Sequence, residues 1–243
     1  MNAIRRSARS GASAARVRHQ ILIVDDHPIV REGLRRLIDQ ERDLAVCGEA
    51  EGALAAMAAI RALKPGVVVV DISLKEGDGI ELVKDARAHS PTLLILVLSM
   101  HDETIYAERM LAAGANGYIM KHAASDQFLV ALRRVLGGGI YVSESVGQKM
   151  IRKLASGAAY SSANRIDSLS NRELQILQMI GRGLSTRESA EALSLSVKTV
   201  ESHRQRIKRK LNLATGSQLV QYAVSWTSRP QAGASEGRAH HHI

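Results

Sequence analysis

The sequence predicts a doubly wound, parallel α/β domain followed by a small all-α domain. Three observations predict it. Between residues 20 and 138, short apolar runs alternate with stretches of helical periodicity five times over, the signature of βα units around a parallel sheet. Four of those runs end on a polar functional group: Asp25-Asp26, Asp71, Ser99 and Lys121. After Gly137-Gly138-Gly139 the pattern stops, and beyond a Ser/Gly/Ala-rich stretch it gives way to helical periodicity alone.

The elements follow in order. Ile21–Val24 is an apolar strand that leads through Asp25-Asp26-His27-Pro28 into a helix over Ile29–Ile38. Val30, Leu34, Leu37 and Ile38 supply its apolar stripe, and Pro28 suits a first helical turn. Leu44–Cys47 is the second strand, and an Ala-rich helix covers roughly Gly52–Leu63. The third strand, Val67–Val70, is four consecutive valines after Lys64-Pro65-Gly66. So short and β-branched a run suits a strand buried on both faces, at the centre of a parallel sheet. A helix over Gly79–Ala88, a strand from Leu93 to Leu98, and a helix near Glu103–Ala113 follow, the last stopped by Gly114. Strand Gly117–Met120 and helix Ser125–Leu136, with Ser125 as its cap, complete the five units.

Residues 139–164 read as a linker, partly helical around Val146–Leu154. From residue 165 to 227 a compact helical domain is expected. Ser170-Asn171-Arg172-Glu173 has capping-box spacing, and Leu174, Ile176, Leu177 and Ile180 form an apolar face. Ser185 starts a second helix, Val197–Leu211 is a third, and Gly216–Ser225 a fourth. Residues 1–19 and 228–243 read as disordered. For the first of these, a DNA-touching arm and a transit peptide are alternatives. The terminal His240-His241-His242 reads as a tail without function.

Composition narrows the function. Aromatics are only 3% of the chain, so the core must be Ala, Val, Ile and Leu. A single cysteine, Cys47, excludes an intramolecular disulfide framework and reads as a small buried hydrophobe. The apolar runs fall far short of the roughly 20 residues that cross a bilayer, and a cytoplasmic protein is expected. Charge is unevenly spread. Residues 20–138 carry 13 basic and 17 acidic side chains, whereas residues 165–227 carry 10 basic and 5 acidic ones. The first domain therefore suits a metal or cationic ligand and the second suits nucleic acid.

Strand carboxyl ends are where open α/β sheets bind ligands. There, Asp25, Asp26 and Asp71 would cluster with Ser99 and Lys121. Three clustered carboxylates need a cation, and Mg2+ is the natural hard, oxygen-liganded partner. The set lacks a His or Cys nucleophile paired with a base. It suits acceptance of a phosphoryl group on Asp71, with the metal and Lys121 offsetting developing charge. In the second domain, two short helices joined by a tight turn fit a helix-turn-helix over residues 185–211. Val200, Ile207 and Leu211 would face its core. Lys198, Arg206 and Arg209 would bind phosphates, while Glu201, Ser202 and Gln205 would reach base edges in the major groove.

Val24-Asp25-Asp26-His27, Val70-Asp71-Ile72-Ser73, Leu98-Ser99-Met100-His101 and Gly117-Tyr118-Ile119-Met120-Lys121 resemble the receiver domain of two-component response regulators over residues 20–138. Leu169–Leu174, Gly183-Leu184-Ser185 and Leu195–His203 resemble the LuxR-type helix-turn-helix. Together they resemble the NarL/FixJ class. The resemblance implies a flavodoxin-like strand order 2-1-3-4-5. It makes Asp71 the acceptor, and gives Mg2+ to Asp26, Asp71 and the Ser73 carbonyl, with Asp25 acting partly through water. Ser99 and Lys121 would touch phosphoryl oxygens, Tyr118 would switch rotamer, and Lys198, Thr199, His203 and Arg206 would contact the DNA backbone. The partners implied are a histidine kinase, promoter DNA and a second copy of the chain in a homodimer. Departures are Lys75 and His122 where proline is common, Ser99 in place of threonine, and Ser189 where an apolar residue is usual. The function expected is a phosphorylation-dependent transcription regulator whose chemistry is confined to gaining and losing the phosphoryl group. The alternatives are a constitutive DNA-binding regulator whose first domain is a dimerisation scaffold, and a Mg2+-dependent phosphatase.

Overall fold

A computed structural model describes residues 18–74, 78–123, 125–155, 165–193 and 195–228. Five parallel strands alternate with five helices: β1 His19–Val24, α1 Pro28–Asp39, β2 Leu44–Ala50, α2 Ala53–Leu63, β3 Val67–Val70, α3 Gly79–His89, β4 Leu94–Ser99, α4 Glu103–Ala112, β5 Gly117–Met120 and α5 Ser125–Leu136. The sheet order is β2-β1-β3-β4-β5, as the resemblance implied.

Side-chain alternation divides the core. Ile21, Ile23, Val67, Val69, Leu96, Leu98 and Ile119 pack toward α1 and α5. Leu22, Val24, Val68, Val70, Ile95, Val97 and Tyr118 pack toward α2, α3 and α4. The strands are thus buried on both faces, which explains why they read as unbroken apolar runs rather than alternating ones. In register, Val24 lies beside Val70, and Val70 beside Val97. Their following residues are therefore level at one rim of the sheet, and Asp25 and Asp71 emerge side by side.

Several boundaries differ from the sequence reading. Strand β1 begins at His19, inside the predicted arm, because its N–H donates to the Asp43 carbonyl (2.8 Å). Strand β2 continues to Ala50, its pairing with β1 shifting between Ile21 and Leu22. Cys47 on this edge is half-buried rather than buried. Ser125 is the first residue of α5 rather than its cap. Gly114 does end α4 as expected: at φ +108° it lets Ala115 N–H reach the Met110 carbonyl (2.9 Å) and its own N–H reach Leu111 (3.0 Å), a Schellman closure. The predicted linker contains a full helix, α6 Glu144–Ala155. Buried Val146 anchors it, and Lys149 donates to the Thr104 carbonyl of α4 (3.2 Å). The remainder of that linker, residues 156–164, lies outside the described residues. So do Lys75, residues 1–17, and the tail with its three histidines.

The second domain comprises a short 3-10 turn (Arg165–Ser168), α7 Asn171–Gly181, α8 Thr186–Ala192, α9 Val197–Leu211 and α10 Gly216–Thr227. Reciprocal capping boxes start α7 (Ser170/Glu173), α8 (Ser185/Glu188) and α10 (Thr215/Gln218). Helices α7 and α10 touch so closely that a Cβ at Gly181 would lie 2.6 Å from the Ala223 carbonyl oxygen. Ser189, the residue out of pattern, is buried, and its hydroxyl donates to the Ser185 carbonyl (2.8 Å). The polar group is thereby satisfied within its own helix. Among the described residues, no helix is long and apolar enough to cross a membrane.

Candidate phosphoryl-acceptor pocket and nucleic-acid interface

The pocket is built where β1, β3, β4 and β5 end. Asp25 and Asp71 are almost fully buried, and Asp26 is buried beside them. Lys121 Nζ bridges Asp25 Oδ2 (2.6 Å) and Asp71 Oδ2 (2.7 Å). Its position is set by the sheet, since its own N–H donates to the Ser99 carbonyl (2.8 Å). The other oxygen of Asp71 accepts from the Ser73 N–H (3.0 Å). Asp25 Oδ1 accepts from the His27 N–H (2.8 Å), and His27 Nδ1 lies 2.7 Å from Asp26 Oδ1. Arg31, buried on α1, donates to the Asp25 carbonyl (2.7 Å) and extends to Glu49 and Glu51. Pro28 starts that helix, so α1 is aimed by the same segment that carries the acids.

Electrostatics follow from burial. Desolvation pushes the Asp71 carboxyl above its ordinary value, with Lys121 pulling against it. Burial also disfavours the Lys121 ammonium, but Asp71 and Asp25 outweigh it and hold its pKa above the ordinary value. Three carboxylates facing one ammonium and a half-exposed imidazole leave negative charge in excess. The donor atoms of Asp25, Asp26, His27 and Asp71 all lie within 4.8 Å of one another. That donor set is dominated by hard oxygens, and with its excess charge it fits a hard divalent cation.

Around this centre the structure brings together Ser99, Tyr118 and three residues the sequence reading gave no role. Ser99 is fully buried, and its hydroxyl oxygen accepts from the His101 N–H (3.1 Å). Tyr118, also fully buried, donates its hydroxyl to the His101 carbonyl (2.8 Å), and burial raises its pKa. The His101 ring stacks on Tyr106 with centroids 4.8 Å apart. Burial, with Arg182, Arg172 and Lys121 nearby, pulls the imidazole pKa down to about 4. Arg31, His101 and Tyr106 carry no motif of their own. Only the strand-end position of Ser99-Met100-His101 hinted at the second.

On α9 the predicted DNA-facing residues divide. Lys198, Glu201, Gln205, Arg206 and Arg209 are exposed, while Val200, Ile207 and Leu211 are buried as their spacing required. Thr199 shares a hydrogen bond with the capping Ser196 (2.8 Å), and Ser202 donates back to the Lys198 carbonyl (2.9 Å). His203 is half-buried, with Nδ1 enclosed and unpartnered. Burial, then the charge of Arg206, lowers its pKa. The Ser202 side chain is itself exposed, and its hydroxyl oxygen keeps its capacity to accept. Lys210 is drawn inward to Glu173 (2.7 Å).

Comparison with known proteins agrees with both halves. The family model "Response regulator receiver domain" matches residues 21–133, and "Bacterial regulatory proteins, luxR family" matches residues 167–223. The oxygen regulatory protein NreC of Staphylococcus aureus is 36% identical over 209 residues, covering 84% of this chain and 96% of NreC. RcsB of Salmonella enterica serovar Typhimurium, solved bound to promoter rprA in the presence of the phosphomimetic BeF3−, aligns with a TM-score of 0.54 at 28% identity. That alignment covers 85% of this chain and 98% of RcsB. A two-component response regulator of the LuxR family from Aurantimonas sp. aligns at 34% identity and TM-score 0.53 over 57% of this chain and 99% of its own. With a buried, acid-rich pocket at the rim of its sheet and a LuxR-type helix-turn-helix behind it, the chain belongs to the NarL/FixJ class of response regulators, a family of DNA-binding transcription regulators.

Proposed function

We propose that this regulator receives a phosphoryl group on Asp71 from a histidine kinase and that the modified state controls homodimerisation and promoter binding. The receiver unit is residues 20–138 and the DNA-binding unit residues 165–227, in a cytoplasmic protein. The observation that carries the reading is Lys121 Nζ bridging Asp25 and Asp71 at the bottom of a buried, acid-rich pocket.

The chemistry follows from these side chains. An Asp71 oxygen attacks phosphorus as the bond to the donor's imidazole nitrogen breaks, and the leaving imidazole takes a proton. An acyl phosphate results. Burial helps, because it destabilises the free carboxylate and strengthens every charge interaction in the pocket. Lys121 exchanges its contact with the Asp71 carboxylate for one with a phosphoryl oxygen and so holds a compensating charge at the reacting group throughout. The Ser99 hydroxyl donates to a second oxygen. Asp25, Asp26, Asp71 and the Ser73 carbonyl would hold Mg2+, which supplies charge neutralisation and orients the phosphoryl oxygens. Attack of water on phosphorus breaks the bond to the Asp71 oxygen, releases inorganic phosphate and restores the carboxylate; this autodephosphorylation is the only turnover expected. Tyr118 is the aromatic that reports the state of Ser99. On α9, Lys198, Thr199, His203, Arg206 and Arg209 serve the phosphate backbone, and Glu201, Ser202 and Gln205 serve the base edges.

A phosphate-retarding gel tests the acceptor. Incubated with Mg2+ and acetyl phosphate, the wild type should show a retarded band that Asp71→Asn lacks. A retarded band in Asp71→Asn would place the phosphoryl group elsewhere and overturn this assignment.

A further inference from the structure

Between the receiver and α7 lies a seam of buried polar contacts. Asn171 donates to Asp78 Oδ1 (3.3 Å), Arg109 bonds the Leu169 carbonyl, and the Tyr106 hydroxyl faces Gln178 Oε1 across 3.5 Å. Apolar residues of α4 and α7, Tyr106, Met110, Leu174 and Leu177 among them, belong to one continuous buried cluster. One contact in this seam reaches the pocket. His101 Nε2 lies 2.9 Å from Ser73 Oγ and 2.7 Å from Gln175 Nε2. Gln175 is buried, and its Oε1 accepts from Arg172 (3.0 Å), which turns its amide N–H toward the imidazole. His101 Nε2 is therefore an acceptor and its ring is neutral, with the proton on Nδ1. The same residue's N–H is held by Ser99 and its carbonyl by Tyr118.

We propose that His101 is the positioning residue that couples the Asp71 pocket to docking of the DNA-binding domain. Its ring serves Gln175 only while Ser73, Ser99 and Tyr118 hold it in place. Any rearrangement of the Ser73 or Ser99 hydroxyl toward a phosphoryl group on Asp71 withdraws that hold and weakens the α7 contact. The exposed side chains of α9 are not covered by this seam. What His101 governs is therefore the placement of the DNA-binding domain rather than access to its recognition helix. The inference rests on the acceptor reading of Asp71.

Coupling between two sites is reciprocal. If undocking is favoured by an occupied pocket, removing a docking contact must tighten the pocket's affinity for a phosphoryl mimic. The test is calorimetric titration of the full-length protein with fluoroberyllate in the presence of Mg2+. Gln175→Leu, on α7 and outside the pocket, should bind fluoroberyllate about five-fold more tightly than wild type, the size of one net hydrogen bond. His101→Phe retains an aromatic ring to stack on Tyr106 but has no acceptor, and in that background Gln175→Leu should change nothing further. A Gln175→Leu affinity equal to wild type overturns the proposal. So does a five-fold gain that persists undiminished with His101→Phe, because the coupling then bypasses His101. Should the wild type bind no fluoroberyllate, or should Asp71→Asn bind it equally well, the acceptor reading itself fails, and the inference with it.

Discussion

The acid-rich pocket and helix α9 solve opposite physical problems. In the pocket, three carboxylates and an ammonium are packed out of water, so every group is fixed by a neighbour: Asp71 by Lys121 and Ser73, Asp25 by Lys121 and His27. On α9, Lys198, Arg206 and Arg209 stand in solvent. Buried charge is costly to leave unpaired, whereas exposed charge is screened and individually worth little. A change in the pocket should thus act through a few indispensable atoms, and a change on α9 through additive increments.

The sharpest way to break that contrast is Lys121→Met. It leaves Asp25 and Asp71 buried without their shared counter-charge, and should cost about 3–5 kcal/mol of stability, read as a lowered midpoint in urea. Added Mg2+ should restore part of it, since a divalent cation supplies the missing charge. A loss no larger than that of an exposed lysine substitution would contradict the contrast. On α9, Gln205→Ala should cost about 1–3 kcal/mol on a preferred DNA site and little on unrelated DNA. Arg206→Ala or Arg209→Ala should instead weaken binding to all sequences and lower the salt slope by about 1 each. Fluorescence anisotropy over a salt series separates the two behaviours.

A smaller effect is expected at Glu173, which caps α7 through the Ser170 N–H and receives Lys210. Burial works against its carboxylate, but the Lys210 and Ser170 bonds outweigh it and hold its pKa below the ordinary 4.5. It therefore contributes stability that is present above pH about 4.5 and is lost as pH falls through its folded value. Glu173→Gln should remove that part of the acid limb of the stability curve, measured by denaturation between pH 3 and 6. An unchanged acid limb would show that the cap carries no charge-dependent share. Smallest of all is Ser189→Ala. Its hydroxyl donates to the Ser185 carbonyl, which keeps the Ser189 N–H (2.9 Å) when the hydroxyl is removed, so the change should stay within about 1 kcal/mol.

Much of the pocket was legible in the sequence because its chemistry sits at strand ends. Four apolar runs each deliver their next residue to the same rim, so Asp25, Asp71, Ser99 and Lys121 declare themselves by position alone. The seam is another matter. His101 and Gln175 are 74 residues apart, and neither interrupts a periodic pattern, so no local signal announces that they meet. Helix α6 was half-seen, since a single buried valine anchors it and its apolar face is mostly exposed at Ile151 and Leu154. On α9 the spacing of Val200, Ile207 and Leu211 fixed which side faces inward. It did not reveal that Ser202 bonds back to Lys198 or that His203 turns partly inside, because both depend on rotamers rather than on period.

The most direct test of the whole account is DNA affinity as a function of Asp71 chemistry. A preferred site would first be selected from random duplexes with the full-length protein in the presence of Mg2+ and acetyl phosphate. Its dissociation constant would then be measured with and without the phosphodonor, for wild type and for Asp71→Asn. The account predicts that the donor tightens wild-type binding by about 5- to 150-fold, the span of ordinary allosteric couplings, and leaves Asp71→Asn unchanged. Equal wild-type affinity with and without the donor, in protein shown to be phosphorylated, would contradict it and make the receiver a dimerisation scaffold for a constitutive regulator.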